Sequence, residues 1–563
     1  MSAMLKLEID GREVEVAHGS TVMDAATSLG IYVPHFCYHK KLSIAANCRM
    51  CLVQIEKAPK PLPACATPAT DGMKVWTHSG QAKQAQNGVM ELLLINHPLD
   101  CPICDQGGEC QLQDLAVGYG ASASRYAEPK RVVMHKSMGA LISAEEMTRC
   151  IHCTRCVRFG QEIGGVMELG MIGRGEHSEI VAFVGKSVDS ELSGNMIDVC
   201  PVGALTSKPF RYSARTWELS RRKSVAPHDS LGSNLIVQTK GSTVMRVVPL
   251  ENEELNECWI SDRDRFSYEG LNAPDRLVKP MIRQGGSLHE VDWQSALEHA
   301  AKLLSEVREQ HGPASLGLLA SPQSSFEELH LAQQLMRGLG SENIDFRLRQ
   351  RDFSADAKRS GIPWLGMKVA DMGGLDRVLV IGSFLRKDHP LLANRFRQAA
   401  KHTQQVNLVH VADDDVLIKL RNKLIVSPAG LPAALSQIVA ALAEIKQQPR
   451  PASLSEMAID EQARAIAVSL ASGRKAGIFL GGTAEQHPEA AKLHALAREI
   501  ALLCGATLGF LGTAANSVGG YLANCVPQGA AGLNARAMLE APRKAYVLLN
   551  LEPELDCHDP ATA

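Results

Sequence analysis

The sequence predicts a multidomain protein, α+β over its first two hundred or so residues and α/β beyond them. Three observations carry that prediction. Eleven of the 15 cysteines fall at or before Cys200. A β-hairpin, a short helix and a cysteine-rich loop follow one another at the N-terminus. From about residue 276, short apolar strands ending in glycine alternate with helical runs, the pattern of a parallel sheet. At 563 residues the chain exceeds what one core can organise, and three or four domains are expected.

The elements justify themselves in order. Leu5, Leu7 and Ile9 alternate with polar residues, Asp10-Gly11 supplies a tight turn, and Val14 and Val16 resume the alternation. Ser20 reads as the N-cap of a helix running to Leu29, which Gly30 ends. That order suits a small ferredoxin-like domain reaching about residue 80. Residues 81 to 96 read as a helix that delivers His97. Farther on, Asp292 caps a helix from Trp293 to Gln310 that Gly312-Pro313 stops, Leu316 to Ala320 is a strand, and a helix begins near Phe326. Arg377 to Gly382 and Gly477 to Gly482 are strands of the parallel sheet, and Tyr546 to Leu551 is strand-like. Repeats and low-complexity segments are not found.

Composition excludes several classes. Hydrophobic residues make up 45% and charged residues 21%, as in ordinary globular proteins. A formal net charge of −2 argues against a nucleic-acid partner. Apolar runs such as Val89 to Ile95 and Ala433 to Ile445 are too short or too interrupted for the roughly 18 to 20 residues of a membrane span. The N-terminus opens into Leu5-Lys-Leu-Glu-Ile without a signal-peptide pattern, so export is not expected. Clustered cysteines in an unexported chain point to metal rather than disulfides.

Three ligand groups emerge. The first is Cys37-x10-Cys48-x2-Cys51-x13-Cys65. Four thiolates in two pairs match the rhomb of a [2Fe–2S] cluster, and structural zinc is the alternative. The second is His97-x3-Cys101-x2-Cys104-x5-Cys110. It suits a [4Fe–4S] cluster or a zinc site of three cysteines and one histidine, and Gly107-Gly108 favours the cluster by letting backbone N–H groups approach the sulfides. The third is Cys150-x2-Cys153-x2-Cys156, closed by Cys200-Pro201, the bacterial ferredoxin pattern of a [4Fe–4S] cluster. Arg149, Arg155 and Arg158 lie around it, either offsetting its charge or forming a solvated helix face.

Eleven cysteines and one histidine supply twelve ligands, four for each of three clusters. No Gly-x-Gly-x-x-Gly follows a strand, and Val184-Gly-Lys-Ser187 imitates the end of a P-loop whose upstream glycine falls on Ile180. No flavin site and no acid/base or nucleophile constellation is found, so no catalytic residue is assigned.

At Cys150-Ile-His-Cys-Thr-Arg-Cys-Val-Arg-Phe, Glu191-Leu-Ser-Gly-Asn and Asp198-Val-Cys-Pro-Val-Gly-Ala-Leu-Thr-Ser-Lys-Pro-Phe, the chain resembles the large iron–sulfur subunit (the mitochondrial 75-kDa type) of respiratory complex I, NADH:quinone oxidoreductase. Cys48-Arg-Met-Cys-Leu-Val and Asn96-His-Pro-Leu-Asp-Cys-Pro-Ile-Cys-Asp-Gln-Gly-Gly-Glu-Cys carry the same likeness. It is detailed to about residue 270. Beyond that, the chain resembles more loosely the domain this family shares with molybdopterin oxidoreductases.

The resemblance implies a [2Fe–2S] ferredoxin-like domain at 1–80, a [4Fe–4S] segment with one histidine and three cysteine ligands at 81–120, and a [4Fe–4S] ferredoxin-like domain at 121–218. A small β lobe at 219–275 and a molybdopterin-oxidoreductase-like α/β domain at 276–563 follow. It implies single-electron relay from the flavin of an NADH-binding partner subunit toward quinone, coupled in the whole complex to proton translocation. The other partners implied are peripheral-arm iron–sulfur subunits and, indirectly, the membrane arm. The implied location is the cytoplasmic face of a bacterial inner membrane, or the matrix side of a mitochondrial one.

The sequence departs from the family in three places. A fourth cluster of some members, Cys-x2-Cys-x3-Cys-x27-Cys, would fall on Ala226, Asp229, Ser233 and Ser261, none of them cysteine. Nearby Cys258 reads as a small buried hydrophobe. After Asn343-Ile-Asp345 the molybdenum-ligand position falls on Arg351, so the α/β domain is expected to carry no molybdopterin. The chain stops at Ala563, where relatives are expected to continue, cut short or naturally short. Two rival readings are the cluster-bearing subunit of an NAD-linked formate dehydrogenase, which needs further cysteine runs, and the diaphorase subunit of a soluble hydrogenase, which resembles residues 1 to about 220 only. A zinc scaffold is a third.

Overall fold

Alternation decides the first element. Leu7 and Ile9 of the strand Met4–Ile9 are buried, while the hairpin partner Arg12–Ala17 buries Val16. The hairpin joins a mixed five-stranded sheet in the order Arg12–Ala17, Met4–Ile9, Lys74–Trp76, Leu52–Ile55, Leu62–Pro63. The computed structural model describes residues 4–183, 187–358, 360–529 and 531–563. Val184, Gly185 and Lys186 of the P-loop-like segment lie outside the described residues.

The chain forms two compact units, Met1–Arg222 with Val237–Val247, and Lys223–Ile236 with Val248–Ala563. In the first, the helix Val22–Ser28 packs Val22, Met23, Ala25 and Ala26 into the sheet's core. Its N-cap is Thr21, one residue past the expected Ser20. Thr21 and Asp24 form a reciprocal capping box, which the spacing of a threonine three residues before an acid encodes. The helix Gly80–Ile95 follows, capped by Ser79, and ends just before His97.

The second unit holds two parallel sheets. One has the order Ile344–Asp345, Leu316–Ala320, Ala545–Leu549. The other runs Leu420–Ile425, Gln405–His410, Arg377–Ile381, Ala476–Leu480, Thr507–Phe510, with every neighbouring pair parallel. Continuous apolar runs such as Val378 to Ile381 are fully buried because helices cover both faces. The segment Pro428–Ile445 is long and apolar enough to cross a membrane, which the reading of Ala433 to Ile445 had missed; 61% of it is buried, and Leu435, Ile438 and Leu442 sit at the centre of the core. The helix Trp293–His311 begins at the expected Asp292 cap but buries none of its residues.

Candidate metal centres

Each ligand group sits where regular structure breaks off. In the first, Cys37 lies in the loop after the helix Val22–Ser28, Cys48 and Cys51 precede the strand Leu52–Ile55, and Cys65 follows Leu62–Pro63. All four are buried. The four thiols lie close enough together to act on one another's ionisation. The backbone N–H of Cys37 donates to the Cys48 sulfur at 3.3 Å. Ala46 and Arg49 adopt positive φ of 53° and 59°, left-handed backbone that non-glycine residues rarely take and that curls this loop around its sulfurs.

In the second group Cys110 is the N-cap of the helix Gln111–Tyr119, and its sulfur faces the N–H groups of Gln113 and Leu112. Cys104 is buried and Cys101 is exposed; both lie near enough to Cys110 to act on its charge. Arg215 donates to the Cys104 carbonyl at 2.6 Å and also to that of Pro102, clamping the loop. Gly107 is required here: a Cβ would stand 3.0 Å from the Cys101 carbonyl and 3.1 Å from that of Cys104. His97 is half-buried with a buried Nδ1 that has no hydrogen-bond partner. Burial, then the Arg149 cation, pushes its pKa down to about 4, so the imidazole is neutral and able to donate a lone pair. No described contact joins His97 directly to the three thiols.

The third group is Cys150, Cys153 and Cys156 around the start of the helix Arg155–Phe159, with Cys200 at the end of Asn195–Val199. The four line one cavity whose other walls are apolar, among them Met147, Ile151, Ile180, Val202 and Leu205. Burial pushes Cys150 up to about 12 and Cys153 up to about 11, and raises Cys156 and Cys200 as well. Such thiols ionise only against a bound cation. Backbone N–H groups approach two of the sulfurs: those of Val202, Leu205 and Ala204 face Cys200, whose thiol also donates to the Val202 carbonyl at 2.9 Å, and His152 N–H donates to Cys150 at 3.4 Å. His152 and Thr154 hold positive φ of 53° and 59° to aim them.

The groups adjoin one another. Arg158 links the Cys37 carbonyl at 2.6 Å to the Cys153 carbonyl at 3.1 Å, and Asn47 donates to the His152 carbonyl at 2.9 Å, joining first to third. Arg149 reaches Asp100 at 2.9 Å, and the Cys110 sulfur lies 3.9 Å from the Pro201 carbonyl, joining third to second. Gly203 completes that contact, since a Cβ there would overlap the Cys104 sulfur. Gln111 ties the second group to the first through the His35 carbonyl at 2.7 Å. Arg149, Arg155 and Arg158 are 3%, 7% and 8% exposed, which overturns the solvated-face reading. Sequence reasoning missed Asp100 and Gln111. Each adjoins a ligand cysteine, but nothing local marks its long-range partner.

In the second unit the fourth-site positions Ala226, Asp229, Ser233 and Ser261 are all buried. Ser261 caps the helix Asp262–Phe266 and bonds Asp264 at 2.8 Å, and Asp264 meets His228 Nδ1 at 2.8 Å. Asp229 accepts from Leu231 N–H at 2.9 Å. Ser233 Oγ is buried without a hydrogen-bond partner. Cys258, expected buried, is half-buried. Farther on, Asn343 and Asp345 brace the chain, Asp345 pairing Arg347 at 2.8 Å and accepting from Ala535 N–H at 3.0 Å.

The family model described as "Molybdopterin oxidoreductase" matches residues 276–562. The chain belongs to the molybdopterin oxidoreductase family. Four further models cover the rest: "2Fe-2S iron-sulfur cluster binding domain" at 2–80, "NADH-ubiquinone oxidoreductase-G iron-sulfur binding region" at 86–125, "NADH-quinone oxidoreductase subunit 3, ferredoxin-like domain" at 139–206, and "NADH-ubiquinone oxidoreductase NDSU1/NuoG-like, 4Fe-4S domain" at 219–269.

The G subunit of NADH-quinone oxidoreductase from Rickettsia felis is 47% identical over 71% of this chain and 58% of its own length. The 75 kDa subunit of NADH-ubiquinone oxidoreductase of Reclinomonas americana is 44% identical over 70% and 58%, and the mitochondrial NADH dehydrogenase [ubiquinone] iron-sulfur protein 1 of Solanum tuberosum 45% over 71% and 53%. The chain thus spans a little over half the length of the curated relatives it matches. A chain of an NAD+-reducing [NiFe]-hydrogenase is 28% identical, with a TM-score of 0.35, over 38% of this chain and 91% of that one.

Arg351, the residue expected where a molybdenum ligand would fall, carries a guanidinium, which has no lone pair for a metal. Its side chain turns instead to the His558 carbonyl at 3.4 Å. The three cysteine groups do fit iron and sulfide, through soft donors that are buried except at Cys101 and Cys150, backbone N–H groups near the sulfurs and the orphan nitrogen of His97.

Proposed function

We propose that this chain is the cluster-bearing relay of an NADH:quinone oxidoreductase, passing single electrons from the flavin of a partner subunit toward quinone. Cys37, Cys48, Cys51 and Cys65 hold a [2Fe–2S] cluster in this reading. His97, Cys101, Cys104 and Cys110 hold a [4Fe–4S] cluster, and Cys150, Cys153, Cys156 and Cys200 a second. When bound, these groups supply one-electron chemistry, which a hydride donor cannot use without a flavin to split the pair. The observation that carries the reading is the adjacency of the three groups inside one unit, braced by Arg158 and Arg149.

The protein's own residues do the rest. Backbone N–H groups favour thiolate, the apolar walls around Cys150 exclude water, and His97 contributes a neutral ligand. The implied partners are the flavin- and NADH-binding subunit and further iron–sulfur subunits at the cytoplasmic face of a bacterial inner membrane. No flavin or molybdopterin is assigned to this chain.

Anaerobic purification with iron and acid-labile sulfide analysis tests it. The twelve ligands call for about ten irons per chain. Zinc in place of iron overturns the reading, and about fourteen irons would restore the fourth site.

A further inference from the structure

A guanidinium is not buried without a counter-charge, because the interior cannot replace its hydration. Arg149 is balanced by Asp100, and Arg347 by Asp345 and Asp356. Arg155 and Arg158 differ. Arg155 donates to Gln111 Oε1 at 3.3 Å, the Val199 carbonyl at 3.4 Å and the Tyr38 carbonyl at 2.5 Å, while its buried Nε has no partner. Arg158 donates to the carbonyls of Cys37, Cys153 and Ser43 and to Thr154 Oγ1. Among the described residues no carboxylate stands at ion-pair distance from either. Burial disfavours the Arg155 charge, while Cys153 and Cys200 of the third group and Cys37 and Cys48 of the first favour it; Arg158 grips the carbonyls of Cys37 and Cys153, one residue from each group.

We propose that Arg155 and Arg158 are positioning residues that serve as the shared counter-cations of the first and third ligand groups, so that the same two charges set both reduction potentials together. The inference rests on the proposed cluster assignment and deepens it. An added electron makes each group more negative, and a nearby cation shielded from water stabilises that state with little screening by salt. Both potentials therefore stand higher than isolated groups would have. Because each arginine reaches two groups, they cannot be tuned apart at these positions.

A brace alone gives a different signature. Arg155 joins three ligand loops, at Tyr38, Gln111 and Val199, so a purely mechanical role would depend on its fork of donors. Lysine keeps the charge and loses the fork; glutamine keeps an amide donor and loses the charge.

The test uses the full chain, purified anaerobically, with iron and sulfide measured before a potentiometric titration followed by electron paramagnetic resonance. Wild type, R155Q, R155K and R158Q are compared. R155Q and R158Q should each shift the reduction equilibria of both the first- and third-group signals at least tenfold toward the oxidised form, about 59 mV each. R155K should stay within about threefold of wild type. Midpoints that do not move, movement of one signal alone, or R155K displaced as far as R155Q overturns the proposal. If R155Q loses its clusters, R158Q carries the same two-signal test, and loss of iron from all three variants marks the arginines as braces and overturns it too. Wild type without iron and sulfide defeats the cluster assignment itself, an outcome the iron assay separates from unmoved midpoints.

Discussion

Arg149 and Asp100 meet at 2.9 Å, and each stands immediately before a ligand cysteine, Cys150 and Cys101. The pair therefore fixes two ligand loops from different parts of the sequence against one another. Arg149 is 3% exposed, whereas the Asp100 side chain keeps 27% of its surface in water. Asp100→Ala leaves a buried cation without its partner and should cost about 2 kcal/mol, less than a fully buried pair because Asp100 is partly solvated. Urea unfolding of the loaded chain measures it, and an unchanged midpoint would show the pair to be idle.

His97 should set the second group's potential through its neutrality. A thiolate in its place adds negative charge and disfavours the reduced state. His97→Cys is expected to retain a cluster with a lower midpoint. Redox titration reads this directly, and an unmoved midpoint removes His97 from the ligands.

Gly203 has room for hydrogen only. Gly203→Ala drives a methyl group into the Cys104 sulfur and should empty the second group while sparing the others, leaving about six irons of about ten. Iron content at the wild-type value would mean that the loop yields.

Burial raises the Asp229 carboxyl above its ordinary value; His389 opposes the shift and Asp264 reinforces it. A carboxyl raised on folding contributes its stability below its unfolded pKa, near 3.9, and loses it as pH rises through the folded value. Asp229→Asn removes that loss and keeps an acceptor for Leu231 N–H. The variant should gain in melting temperature over wild type as pH goes from 4 to 7. A gain that stays constant or shrinks would contradict the shift.

In the proposed reading the hydride chemistry belongs to a partner subunit, so the chain alone should not oxidise NADH. Mixing purified protein with NADH and ferricyanide checks this, and turnover without an added flavoprotein would refute the assignment of hydride chemistry to a partner.

Local chemistry made much of this legible. The hairpin, the Asp292 cap and the parallel strands follow from alternation, capping and apolar runs, which act over a few residues. The ligand spacings are local in the same sense. Gln111 bonding His35 and Gly203 fitting Cys104 depend on tertiary approach, which no window of sequence contains. Thr21 displaced Ser20 as a cap because its capping box with Asp24 satisfies two backbone donors at once. The run Ala433 to Ile445 reads as interrupted because Ser436, Gln437 and Glu444 break it, whereas the turn Pro428–Gly430 and the start of the helix Leu431–Ile445 add the length that the run alone lacks.

The order of the ligand groups along the chain is not their order in space: the third adjoins both of the others through backbone carbonyls and buried arginines. Translation runs from the N-terminus, so the ligands of the outer groups are complete at Cys65 and Cys110. The middle one waits for Cys200, about ninety residues later, roughly ten seconds of synthesis at about 5–20 residues per second. A nascent chain caught in that interval has two complete ligand sets and lacks the last member of the third. In the proposed reading, the relay is thus incomplete until the last of its ligands has been made.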